Sequence, residues 1–159
     1  MRTRLTAALA AAAMSIVACG GNKAVEINPA AKPVGTRWNA VLATPASMVG
    51  AVQIQGTAWM ESNAGNPQET LAHVSISNAA PGGEHPWHVH IGRCGADQGI
   101  FGPPEAYGTL RVGDKGLAEG DATIPLALPR AGQYFVNVHA SKDNMGTIVA
   151  CGNLAAPAR

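Results

Sequence analysis

Three of the chain's five histidines fall within the segment His85-Pro86-Trp87-His88-Val89-His90. Side chains in an extended strand alternate faces, so His88 and His90 point the same way. Two neutral imidazoles on one face, with Cα atoms about 6.5–7 Å apart, can both reach one metal ion through bonds of about 2 Å. The competing reading is a strand that merely presents polar residues on one face. A third imidazole comes from Tyr134-Phe135-Val136-Asn137-Val138-His139-Ala140. There Tyr134, Val136 and Val138 share one face, and Phe135, Asn137 and His139 the other. His139 stands at the strand end, before a loop expected over residues 140–147. Taken alone such a histidine is usually structural; beside a pair already formed it becomes the candidate third ligand. His73, among serines and alanines on another strand, reads as a surface residue.

The elements that must position these groups are strands. Apolar and polar residues alternate over Val52–Ala58, Ala72–Ser77 and Tyr134–Ala140, the mark of half-buried strands. Gly65-Asn66-Pro67, Pro81-Gly82-Gly83, Gly102-Pro103-Pro104, Gly113-Asp114-Lys115-Gly116 and Arg130-Ala131-Gly132 punctuate them as turns. No helical apolar stripe occurs beyond the N-terminal residues. Short strands about ten residues apart predict an all-β, immunoglobulin-like Greek-key sandwich or flattened barrel of about eight antiparallel strands.

Residues 1–18 carry Arg2 and Arg4, a short apolar run and a small-residue end. That pattern predicts a secretory signal rather than a membrane span. Ile16-Val17-Ala18-Cys19 resembles the bacterial lipobox, which implies cleavage before Cys19 and lipid on its sulfur; an ordinary signal with an incidental cysteine is the alternative. Gly20 after the cysteine favours, by the same resemblance, the periplasmic face of the outer membrane. Residues 19–35 read as a flexible tether, leaving one domain over 36–155. Contact with the bilayer is then expected through the lipid anchor only. In an exported compartment Cys94 and Cys151 are most simply a disulfide, with two free thiols as the alternative. A net charge of +1 with 13% charged residues gives no electrostatic footprint for nucleic acid.

Over roughly Trp38 to Leu154 the sequence resembles the copper/zinc superoxide dismutase family. Gly82–Gly92 is similar to the family strand with its His-Val-His pair. Val136–Ala140 is similar to the strand ending in the later copper histidine, Ile148–Gly152 to the Ala-Cys-Gly disulfide segment, and Gly113–Ala118 to a turn between middle strands. The resemblance implies copper held by His88, His90 and His139. It also implies a supporting role for His85, hydrogen-bonded to backbone beside the site, and a Cys94–Cys151 disulfide.

The departures are equally specific. Gly95–Tyr107 contains no histidine, and the family's zinc aspartate aligns with about Ala106, so zinc is not expected and copper lacks its bridging histidine. Ile148 stands where the family has a guiding arginine; Arg93 is a substitute candidate for anion guidance, with a solvated surface role as the bland alternative. The electrostatic loop shrinks to Ala140–Gly146. No catalytic residue is otherwise assigned. Met145, six residues past His139, offers a thioether that would favour Cu(I), although methionine usually fills core. Three functions stay open: dismutation of superoxide at a mononuclear copper site, a non-catalytic copper buffer or carrier, and a metal-free sandwich with a binding role. The expected small partners are superoxide or copper ions, and the oligomeric state is open.

Overall fold

The computed structural model describes residues 36–50 and 53–157. The expected signal, tether and lipidated Cys19 lie outside them. The described residues form strands β1 (Trp38–Ala43), β2 (Gln55–Ser62), β3 (Thr70–Ser77), β4 (Glu84–Arg93), β5 (Ala96–Ile100), β6 (Thr109–Arg111), β7 (Ala118–Ile124), β8 (Tyr134–Ser141) and β9 (Asn144–Leu154). Two 3-10 turns, Ala46–Met48 and Pro104–Ala106, are the only helical elements among them.

All pairings are antiparallel, in the order β5-β4-β8-β9-β1-β2-β3-β7, with β6 pairing β4 off this path. β3 and β7, and β4 and β8, are neighbours although distant in sequence, the crossovers of a Greek-key all-β fold. The sheet curls around one core. Trp87 and Val89 of β4 face Val138 and Val136 of β8 in register, and Leu42, Met60, Val74 and Ile124 join them with 1% exposure or less.

Two expectations needed correction. The strand expected over Val52–Ala58 is β2, Gln55–Ser62; Ile54 is buried just before it. The loop expected over 140–147 is a tight hairpin: β8 runs to Ser141, β9 starts at Asn144, and only Lys142-Asp143 turn between them. Such two-residue connections suit the natural twist of paired strands. The β8–β9 register slips on both sides of His139, with the extra residues on β9.

On the outer face of β2, β3 and β7, His73 stacks on Trp59 at 5.3 Å and bonds Asp121 at 2.8 Å. Arg37 lies 4.0 Å from the Trp59 ring and pairs with Glu61 at 3.0 Å. His73 is thus engaged in a surface ladder of its own, as its sequence neighbours suggested.

Candidate metal centre

His88 and His90 alternate with the core residues of β4 and so face outward from the sheet. In register they stand opposite Asn137 and Phe135 of β8. The parity of β8 puts His139 on that same face. His88, His90 and His139 are all buried, at 6%, 4% and 5% exposure, and one ligand atom from each lies within 4.8 Å of the other two. The expected trio is therefore assembled as a group that could hold a metal ion.

Which nitrogen each ring offers follows from what the other nitrogen does. His139 Nδ1 donates to the Met145 carbonyl at 2.6 Å, which leaves Nε2 bare. His90 Nδ1 faces the Asp97 carboxylate at 3.0 Å, and its buried Nε2 has no hydrogen-bond partner. His88 directs Nδ1 at His139 Nε2, 3.1 Å away. A buried unpartnered imidazole nitrogen is costly, and a bound ion would relieve that cost at His90. The three imidazoles could hold a metal ion that accepts nitrogen donors. In the neutral, metal-free protein His88 Nδ1–H donates to His139 Nε2. An ion bound at these atoms requires His88 to carry its proton on Nε2 instead.

The surroundings hold the rings in place. His90 stacks on Phe135 at 5.1 Å. Tyr107 presents its ring edge-on to His88 at 5.2 Å and to Trp87 at 5.3 Å, while its hydroxyl donates to the Phe101 carbonyl at 2.6 Å. Burial pushes the Tyr107 phenol well above its ordinary range, so it remains a neutral wall. His85 Nδ1 meets the His139 carbonyl at 3.0 Å, the backbone contact that the resemblance implied for it. The second nitrogen of His85 is buried without a partner.

Burial, reinforced by the neighbouring His139 and His90, brings His88 down from 6.5 to about 4. Burial also lowers His139, against the Met145 carbonyl, which favours its protonated form. Both rings are then neutral near pH 7 and ready to ligate. Between pH 6.5 and 4 the unfolded chain takes up a proton at position 88 that the folded chain refuses. Stability of the metal-free domain is thus expected to fall as pH drops through that window. Urea midpoints at pH 7, 5.5 and 4.5 check this; a midpoint that rises on acidification contradicts it.

Cys94 and Cys151 are joined, with Cα atoms 6.0 Å apart and a sequence separation of 57. Cys94 and Gly95 form the two-residue turn of the β4–β5 hairpin, so the disulfide ties that hairpin's tip to β9. A groove beside it is lined by Asp97, His139, Met48, Met145 and Ile148 as well as both cysteines. Ile148 thus stands uncharged beside His139, its partner in register. Arg93 is not brought to this groove. It is exposed at the hairpin end and lines a separate recess with Trp38, Gly132 and Tyr134, so the arrangement gives no support for anion guidance from that position.

Met145 enters the site through its carbonyl. Asp97 and Tyr107 were not singled out from the sequence. The Cys94-Gly95 turn signal could have revealed Asp97, because closing a hairpin there lays it opposite Gly92, two residues from His90. Comparison with protein-family models and with curated proteins finds no match to this chain in either.

Proposed function

We propose that the domain binds copper at His88, His90 and His139 and removes superoxide there, as a zinc-less relative of the copper/zinc superoxide dismutases. The observation that carries this reading is the cluster of three buried imidazoles, one ligand atom of each within 4.8 Å of the others, with the Nε2 of His90 otherwise unpartnered. The His85 bond to the His139 backbone and the Cys94–Cys151 bridge, both implied by the resemblance, support it further. The donor set is nitrogen only, and copper heads the affinity order of divalent first-row ions. Export and lipid anchoring through Cys19 at the outer membrane belong to the same proposal; they rest on the N-terminal sequence.

Bound copper would supply one-electron cycling between two oxidation states. The chain's own contribution is to hold three imidazole donors in a buried cluster. Dismutation turns one superoxide into dioxygen and a second, with two protons, into hydrogen peroxide. No bridging histidine stands by to deliver a proton, so the groove beside His139 must admit it from water. Ile148 gives no attraction to an anion at the position of the family's arginine. Turnover is therefore expected to be slower and less salt-sensitive than in a charge-steered site.

A second reading, a copper buffer or carrier, is favoured by one observation: Met48 and Met145 line the same groove as His139, and thioethers suit Cu(I). Rate separates the two. Desalted, copper-loaded protein is mixed with superoxide, with the His88→Ala variant and a buffer blank as references. Many superoxide molecules removed per copper, and none above the blank in the variant, supports the enzyme. Stoichiometric copper with no turnover leaves the carrier.

A further inference from the structure

The three imidazoles are not supported alike. His139 leans on a neutral backbone carbonyl, whereas His90 leans on a carboxylate. The difference is built into the β4–β5 hairpin. Gly92 flanks the β4–β5 register shift with φ +107°, and a Cβ there would run into the Ala96 carbonyl. Only glycine adopts this conformation at such close approach. The two-residue Cys94-Gly95 turn sets Asp97 opposite Gly92, and its Oδ1 lies within 3.0 Å of His90 Nδ1. The same oxygen accepts from the Gly99 N–H at 2.8 Å, so the carboxylate is fixed from both sides. The disulfide at Cys94 pins the hairpin that carries it. The Asp97 side chain is half exposed and carries the negative charge of an ordinary carboxylate at neutral pH.

We propose that Asp97 is a positioning residue that acts through His90 to bias the centre toward divalent over monovalent copper; this rests on the copper reading above. Three neutral imidazoles contribute no charge. With Asp97 beside them the centre carries +1 around a divalent ion and 0 around a monovalent one. Attraction between the carboxylate and the ion scales with the ion's charge. The carboxylate also locks His90 as its Nδ1–H tautomer, delivers Nε2 as the ligand and makes the ring a stronger donor.

The test compares Asp97→Asn with wild type and with Asp97→Glu. Asparagine keeps an oxygen for the Gly99 and His90 N–H groups and removes only the charge. Competition titrations against chelators selective for each oxidation state give the two copper affinities. Asp97→Asn is expected to weaken Cu(II) binding about tenfold or more and Cu(I) binding less than threefold. A tenfold difference between the two corresponds to a rise of about 59 mV in the copper potential. Asp97→Glu should return the potential toward the wild-type value. Equal losses in both oxidation states, or none in either, overturn the proposal.

Long-range 1H–15N spectra of the metal-free protein supply an independent arm. His90 is expected as the Nδ1–H tautomer in wild type, and Nε2–H there overturns the Asp97 role whatever the metal results are. Wild type that shows this tautomer yet binds no copper overturns the copper reading, and the redox bias falls with it.

Discussion

The His139→Ala domain is expected to bind Cu(II) on the order of a hundredfold more weakly than the wild-type domain. Structural metal sites with four protein ligands bind with about 10–16 kcal/mol, so one ligand accounts for roughly 3 kcal/mol, and every 1.4 kcal/mol is about tenfold. Position 139 is the most telling of the three. Its Nε2 is the atom that His88 Nδ1 faces at 3.1 Å, and its Nδ1 is tied to the Met145 carbonyl. Removing the ring therefore deletes one donor and frees the orientation of a second. The backbone of residue 139 survives the substitution, including the carbonyl that His85 holds, so the fold is expected to persist. His73→Ala is the matching control, because that histidine belongs to the Trp59–Asp121 ladder. Chelator competition should show its affinity unchanged. Equal affinities for His139→Ala and wild type would remove His139 from the site.

Replacing both Cys94 and Cys151 by alanine is expected to cost the domain about 4 kcal/mol, the chain-entropy value for releasing a loop of 57 residues. Small domains have only about 5–15 kcal/mol in total, so the variant should be near the edge of stability. For a domain of this size the loss corresponds to a fall in Tm on the order of 15 °C. The local consequence is just as specific. Cys94 occupies the turn of the hairpin that carries Asp97, and Asp97 orients His90. Copper affinity should therefore fall in the disulfide-free variant even at temperatures where it is fully folded. Denaturant unfolding and chelator competition on the same preparation read the two effects separately. A stability loss below about 1 kcal/mol would show that other contacts hold the two ends together.

Much of the site was legible because strand parity is a simple rule. Two residues apart on one strand, His88 and His90 had to share a face, and the Tyr134–Ala140 alternation fixed the face of His139. The β8–β9 connection was harder to read. Asp143, Asn144 and Gly146 carry loop chemistry, yet the chain uses only Lys142-Asp143 to turn and continues as strand on either side. Cross-strand hydrogen bonding overrides weak β propensity where a partner strand is already in place. Asp97 was hidden for another reason. The Cys94-Gly95 turn signal lays it opposite Gly92, but the register then shifts between Gly92 and His90, so the turn brings Asp97 near His90 without showing that the two bond. Arg93 shows the converse. Closeness in sequence to His90 suggested a place near the site, but the hairpin carries it to a different recess.

The central claim is that one copper ion is held by His88, His90 and His139. Its most direct test is the electron paramagnetic resonance spectrum of the domain titrated with Cu(II), beside that of His88→Ala. One bound ion per chain coupled to three nitrogens is expected in wild type, with one nitrogen lost in the variant. An unchanged nitrogen pattern in His88→Ala, or no bound Cu(II) in wild type, would contradict it.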